Sequence, residues 1–191
     1  IGLLPHYDRY ATTYRSVLPP GDAVRDHLVS EFQRTAARHR GPLPGRDQPV
    51  RHSPQYEVVR VEQLHNPRAQ EAYLAELQDL GGLCGQPTPL SPAPDALSVQ
   101  TVGGQQMNEY MLYHGAASDK VTRLFQQGLD PRYAGTNGGR MFGYGTYLAA
   151  NSSKADLFTQ PGTPQGDASA RDLRCVLAVR AALGEPHYEK L

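Results

Sequence analysis

Two short apolar runs each carry a ring that could take part in chemistry, and each is followed by small residues. The first run, YMLY, leads into His114, Gly115 and Ala116, and the second carries Tyr147 in the phrase TYLAA. A glycine directly after a strand lets a ligand approach the backbone. Alone, either ring is more often a structural residue, but together they predict a small-ligand pocket with a polar imidazole and a stacking tyrosine.

Several familiar kinds of site are excluded by spacing. The loop GTNGGR at 135–140 offers backbone N–H groups that could cradle phosphates. It lacks the Lys-Ser/Thr ending of a P-loop and the spacing of a dinucleotide fingerprint. The sequence contains no Ser-His-Asp elbow and no metal-ligand spacing. Cys84 and Cys175 fit neither a disulfide framework nor a zinc site, which favours a reducing compartment and no bound metal.

Length indicates one globular domain, and the charge balance gives no sign of a nucleic-acid or membrane partner. The chain has 191 residues, with 19 basic residues against 19 acidic ones, so it carries no overall nucleic-acid or membrane signature. No apolar stretch approaches membrane-spanning length, and no hydrophobic signal core begins the chain. We expect an intracellular, cytoplasmic or nuclear protein, with any targeting segment upstream of Ile1.

The first half of the chain predicts helix, strand and helix behind an arm. Residues 1–20 are read as an irregular N-terminal arm. A helix follows Asp22, with Val24, Leu28 and Phe32 on one face. A β-branched strand is expected over 55–62, and a second helix from Asn66-Pro67 to Gly81-Gly82. Residues 81–107 are rich in Pro, Gly and Ser and are interpreted as a mobile insertion.

The second half predicts the elements that must position the two rings. A strand at 109–114 ends in His114, and a short helix runs from a Ser118 cap to Gly128. A strand at 146–149 carries Tyr147, and a short helix capped by Asn151 or Ser152 runs toward Phe158. A buried strand is expected over 173–180.

Three phrases, in their order and spacing, resemble a known family. They are YHG at 113–115, GLDPR at 128–132 and MFGYGTYLA at 141–149. The chain resembles the catalytic domain of the poly(ADP-ribose) polymerase-like, diphtheria-toxin-type ADP-ribosyltransferases. The segments NEYML at 108–112 and NSSK at 151–154 are similar to segments of the tankyrases. Residues 133–139 are more similar to the mono-ADP-ribosylating relatives. The resemblance implies an α+β fold over 21–191, with two antiparallel or mixed β-sheets and flanking helices.

The resemblance also implies a substrate and roles for particular residues. NAD would bind extended, without a Rossmann fold and without a metal, and His114 and Tyr147 would be the catalytic residues. His114 would bond a hydroxyl of the adenine-side ribose, and the backbone of Gly115 would bond the nicotinamide carboxamide. Tyr147 and Phe158 would stack on the two faces of the nicotinamide ring. Further NAD contacts are implied for Ala116, Asp130, Arg132, Tyr133, Gly139, Lys154 and Ala155.

The implied activity is transfer of ADP-ribose from NAD to a macromolecule with release of nicotinamide. A protein acceptor is favoured, the enzyme itself included, and single units are favoured over chains. One alternative is an inactive module that binds NAD or ADP-ribose. Another is a nucleic-acid-directed transferase, for which a basic cluster over 34–51 is the only hint.

Two kinds of departure from the family pattern bear on these expectations. Ala155 stands where relatives usually have a serine that bonds the carboxamide, and Ala116 replaces a common hydroxyl residue. Both changes are expected to weaken or alter NAD binding. The third catalytic position of the family is expected after Leu191. We therefore expect a continuation of the chain, or a second polypeptide, to supply that residue and complete the sheet.

Overall fold

A computed structural model describes residues 13–36, 56–99, 107–130, 143–159 and 173–188. Over these ranges the chain forms helices and two small antiparallel sheets, ordered β1-β2 and β3-β4-β5. This α+β arrangement is the predicted class. In chain order the elements are β1 (Tyr14–Val17), α1 (Ala23–Ala36), β2 (Glu62–His65), α2 (Pro67–Cys84), β3 (Leu97–Ser98), β4 (Glu109–Gly115), α3 (Ser118–Gln127), α4 (Ser152–Asp156) and β5 (Val176–Ala182).

The two-stranded sheet differs from the sequence prediction at both strands. Residues 14–17, expected in an irregular arm, form β1, and residues 1–12 lie outside the described ranges. The strand predicted at 55–62 is β2 at 62–65 instead, and the described residues 56–61 before it have no regular secondary structure. The β-branched residues of 58–61 misled the prediction, because a ladder forms only where a partner strand lies alongside. That partner is β1, which lines up Tyr14 with His65 and stacks their rings at 4.4 Å.

The three-stranded sheet has β4 at its centre. β5 pairs with it from Glu109 opposite Ala182 to Gly115 opposite Val176. The strand predicted at 109–114 is therefore confirmed, whereas the one predicted at 173–180 runs over 176–182. β3 pairs with β4 from within the segment that was expected to be an unstructured insertion. Residues 100–106 of that segment lie outside the described ranges.

Local capping signals locate three of the helices. Asp22 Oδ1 accepts the amides of Val24 and Arg25 at 2.9 and 3.0 Å, which starts α1 as predicted. Asn66 Oδ1 accepts the amide of Ala69 at 3.0 Å, with proline at the first turn of α2. Gly128, at φ +76°, ends α3 as predicted, although the N-cap of that helix is Ala117 rather than Ser118.

α2 continues past the glycine pair that was expected to end it. Its C-cap is Gly85, at φ +65°, whose amide donates to Gly81 O at 3.2 Å. A glycine inside a helix costs only about 1 kcal/mol relative to alanine. Gly81 and Gly82 are therefore tolerated as helical residues, and the helix ends where the backbone turns left-handed.

A buried carboxylate connects α2 to the central sheet. Glu109 is 3 % exposed, and its Oε1 accepts the Tyr73 hydroxyl at 2.6 Å and Arg180 Nε at 2.7 Å. The guanidinium of Arg180 also lies 5.4 Å from the centre of the Tyr73 ring. Burial and the neighbouring carboxylate raise the pKa of Tyr73, so its hydroxyl stays protonated as the donor. The cluster joins α2, β4 and β5.

We expect Glu109→Gln to lower the free energy of unfolding by about 2 kcal/mol, because Arg180 and Tyr73 lose a charged acceptor. Denaturant unfolding at neutral pH measures the change. Glu76→Gln, on the exposed surface of α2, is the matched control and should change the value by less than about 0.5 kcal/mol. Equal stability of the two variants would contradict the assignment of Glu109 as a brace.

α1 is joined to the chain near β3 by a second set of charges. Arg34 contacts Glu31 at 2.6 Å and Asp95 at 2.8 Å. The hydrogen bond from Arg34 is the main reason that the pKa of Glu31 is lowered from its ordinary value. A carboxylate with a lowered folded-state pKa stabilises the fold above its unfolded pKa, and this stabilisation is lost as the pH falls through the folded pKa.

Glu31→Gln should therefore destabilise the protein by about 1 kcal/mol at neutral pH, a discounted value because Arg34 is one-third exposed. The difference in the free energy of unfolding between wild type and variant should shrink to zero as the pH is lowered through the pKa of Glu31. Unfolding curves collected across the acidic range test this, with Asp79→Asn on exposed α2 as control. A difference in unfolding free energy that grew as the pH fell would contradict a lowered pKa for Glu31 in the folded protein.

Among the helices that the structure describes, none is long and apolar enough to cross a membrane.

Candidate active site

The end of β4 meets the segment that carries Tyr147. The amide of Tyr113 donates to Ala149 O at 2.8 Å, and the amide of Ala149 donates back to Tyr113 O at 2.9 Å. This pair is an isolated bridge, so the strand predicted at 146–149 is reduced to one paired residue. The bridge brings the backbone of Tyr147 beside His114, the residue that follows Tyr113.

The imidazole of His114 is oriented by that backbone. His114 Nδ1 lies 2.9 Å from Tyr147 O. A carbonyl oxygen only accepts, so Nδ1 carries the proton, and Nε2 of the neutral ring keeps its lone pair for a donor. The Tyr147 hydroxyl donates to Gly143 O at 2.9 Å, and the side chain remains 38 % exposed. The histidine thus presents an acceptor beside an accessible phenol ring.

Gly115 allows α4 to pack directly on the end of β4. A Cβ at Gly115 would overlap the backbone carbonyl oxygen of Ala155 and would lie 3.2 Å from the Cβ of Phe158. Ala155 is 2 % exposed, whereas the Phe158 ring is 48 % exposed. Only glycine permits this approach, and the result is a second accessible ring close to the end of the strand.

Lys154 adds a positive charge next to that ring. Its Nζ lies 5.9 Å from the centre of the Phe158 ring, within the range of a cation–π contact. In the parts of the chain that are described, no three His, Cys, Asp or Glu side chains gather as a metal site. The cluster is therefore aromatic and polar, with one ammonium group at its edge.

The structure brings together six of the predicted site residues: His114, Gly115, Tyr147, Lys154, Ala155 and Phe158. Ala116 follows Gly115 and is buried. Asp130 is half-buried and lies two residues after Gly128, which ends α3. Arg132, Tyr133 and Gly139 lie outside the described residues. Contact of any of these with NAD remains a prediction.

The sequence did not point to the residues that hold the C-terminal end of α4. Asp156 accepts the Tyr56 hydroxyl at 3.1 Å and the Thr159 hydroxyl at 2.9 Å, and it pairs with Arg174 at 3.3 Å. Tyr56 is 100 positions from Asp156, so no local pattern could have linked them. The one available signal was the Asp-x-x-Thr spacing of 156 and 159, which suits a side chain that bonds its own turn.

Arg34 is the one residue of the predicted basic cluster that lies in the described ranges, and its guanidinium already pairs with carboxylates. Arg34 pairs with both Glu31 and Asp95, as the fold of α1 shows. The other members of that cluster lie outside the described ranges. The described part of the cluster therefore offers no added reason to expect phosphate contacts.

Comparisons with known proteins identify the family of the chain. The family described as "Poly(ADP-ribose) polymerase catalytic domain" (PARP) matches residues 43–189, which is most of the chain and includes the whole cluster. The chain belongs to this family. PARP catalytic domains are ADP-ribosyltransferases that use NAD as substrate, so the match confirms the resemblance drawn from the motifs.

A human relative is similar over much of this PARP domain. The protein mono-ADP-ribosyltransferase PARP14 of Homo sapiens is 25 % identical over 146 residues, which cover 75 % of this chain and 6 % of that protein. The chain therefore spans only a small part of the length of this curated relative.

We expect Gly115→Ala to destabilise the domain by about 2 kcal/mol, because the new methyl group must displace the backbone of Ala155. The same change at Gly82 is the control, since a Cβ there meets nothing within 4 Å and the residue is helical. Gly82→Ala should be neutral or slightly stabilising in denaturant unfolding. If both variants unfolded alike, α4 would not depend on the missing side chain.

Proposed function

We propose that this domain transfers single ADP-ribose units from NAD to a protein acceptor and releases nicotinamide. The observation that carries the proposal is the oriented imidazole of His114 beside the accessible rings of Tyr147 and Phe158. Membership of the PARP family supports the reaction class. The name of the human relative, a mono-ADP-ribosyltransferase, supports single-unit transfer to a protein.

Each member of the cluster has a part in holding the donor. Nε2 of His114 accepts a ribose hydroxyl, since Nδ1 is committed to Tyr147 O. The rings of Tyr147 and Phe158 stack on the nicotinamide, and the backbone of Gly115 bonds its carboxamide. Lys154 lies at the rim of the same pocket beside Phe158.

The chemistry follows from where charge moves. The bond between the nicotinamide nitrogen and the ribose breaks with both electrons going to the ring. Nicotinamide then leaves neutral, and positive charge develops on the ribose as an oxocarbenium-like centre. An acceptor side chain attacks that carbon and loses its proton to solvent. The protein contributes mainly by fixing the nicotinamide and the ribose relative to each other, so that binding energy favours the transition state.

Ala155 makes this pocket less polar than the pocket implied for the relatives, which usually have a serine at this position. A methyl group at this buried position offers no hydrogen bond to a carboxamide. One missing bond of ordinary strength corresponds to about 1 kcal/mol, or roughly fivefold in affinity for NAD. We propose that the domain binds NAD weakly and depends more heavily on the backbone of Gly115.

We expect His114→Ala to lower nicotinamide release by about 100-fold, because the ribose is then held in a poor geometry for cleavage. Release from NAD, together with an intact-mass spectrum of the protein, measures turnover and shows whether adducts add singly. His65→Ala is the matched control, since this half-buried strand histidine contacts Ser16 and Tyr14 instead of the cluster. Its release rate should stay within about twofold of wild type.

The competing function is a module that binds NAD or ADP-ribose without turnover, which Ala155 favours. Tight NAD binding by the wild-type protein without any release of nicotinamide, alone or with added acceptor proteins, would support the module and reject the transferase.

A further inference from the structure

The first amide of α4 is capped by a residue from a distant helix. The N-cap residue of α4, Asn151, makes no side-chain capping bond. The amide of Ser152 donates instead to Thr35 Oγ1 at 3.3 Å, and Ser152 Oγ donates to Phe32 O at 2.6 Å. Both Thr35 and Phe32 belong to α1. We call this contact between Thr35, Phe32 and Ser152 the α1–α4 clasp.

An amide only donates, so Thr35 accepts the hydrogen bond from the Ser152 amide. The single hydroxyl proton of Thr35 has three acceptors within reach, which are Glu31 O at 2.9 Å and Phe32 O at 3.2 Å in its own helix and Ser152 Oγ at 3.2 Å. The lone pairs of the Thr35 oxygen are therefore available to the Ser152 amide. Thr35 is 1 % exposed and Ser152 is fully buried, so water cannot replace either partner. Without the Thr35 oxygen, the amide of Ser152 would be left without a hydrogen-bond partner.

α4 depends on such outside contacts because it is only five residues long. A helix of that length has no stability of its own in water. Its orientation must be set by its packing on Gly115 and by the groups that hold its two ends. The C-terminal end is held by Asp156, whose partner Arg174 is 43 % exposed. The N-terminal end is held by the α1–α4 clasp, which is buried, so water cannot substitute for a lost hydrogen bond there as it can at Arg174.

We infer that Thr35 is a positioning residue for the donor site, because the clasp sets where α4 presents Lys154, Ala155 and Phe158 to Gly115. The inference rests on the proposed function, since it takes the cluster around Gly115 as the place where NAD binds. Thr35 itself makes no contact with the donor. Its effect on NAD is exerted through Ser152 and the helix that begins there.

Thr35→Val and Thr35→Ser separate this role from simple packing. Valine keeps the size and branching of threonine but removes the acceptor, whereas serine keeps the oxygen. We expect Thr35→Val to weaken NAD binding about tenfold, and to raise KM for NAD by a similar factor with a smaller change in kcat. Thr35→Ser should stay within about twofold of wild type in both quantities.

Titration calorimetry with NAD and nicotinamide-release kinetics should be run on both variants, each shown to be folded by circular dichroism. Glu109→Gln controls for general destabilisation, because it disturbs the brace between α2 and the sheet and leaves the clasp intact. At temperatures below its unfolding transition, it should keep the wild-type Kd. Ser152→Ala provides a second variant if Thr35→Val does not fold, and the loss of its bond to Phe32 O should raise Kd about fivefold.

The outcomes distinguish the inference from the proposed function. Wild-type protein that binds NAD but releases no nicotinamide rejects the transferase, and the effect of Thr35 on Kd is still measured. Wild-type protein that does not bind NAD rejects both. Unchanged Kd in Thr35→Val, or in Ser152→Ala where the first variant is unfolded, overturns the inference. Equal weakening in Glu109→Gln overturns it as well.

Discussion

The candidate site depends on a backbone-to-backbone contact between the end of β4 and α4. The carbonyl of Ala155 occupies the space that a side chain on Gly115 would need. This contact brings Phe158 close to the strand end, while the bridge between Tyr113 and Ala149 brings Tyr147 to the same place. Two rings from a later part of the chain thus lie near the end of one strand, Phe158 because Gly115 has no side chain and Tyr147 because of the backbone bridge.

The described charges serve mainly to brace the scaffold. Glu109 with Arg180, Glu31 with Arg34, and Asp156 with Arg174 each connect separate elements of the fold or stabilise one helix. An imidazole with one committed nitrogen lies at the centre of the cluster, with one lysine at its edge. In the proposed transferase, such a site positions a substrate that already carries its own charge, and NAD, with its cationic nicotinamide, is a substrate of that kind.

Helix boundaries could be predicted where the signal was local. Asp22 and Asn66 cap amides within three residues of themselves, and Gly128 turns the chain at the end of α3. The misplaced elements are those whose pairing is long-range. β1 and β2 pair residues 45 to 51 positions apart, from Val17 opposite Glu62 to Tyr14 opposite His65, and nothing in either segment alone selects that register. The end of α2 was predicted too early for a different reason, since the chain offers three glycines between 81 and 85 and only the backbone shows that Gly85 is the one that turns left-handed.

By itself, the sequence determined the kinds of group that the site contains. His114, Gly115 and Tyr147 stand in motifs whose order and spacing resemble those of a PARP domain, and the family match confirms that resemblance. Only the tertiary structure decided how they are held. The protonated nitrogen of His114 follows from a carbonyl 33 positions away, and α4 is capped by Thr35 from 117 positions away. Contacts at such separations depend on how whole elements pack, and packing energies are summed over the fold rather than encoded in any one stretch of the chain.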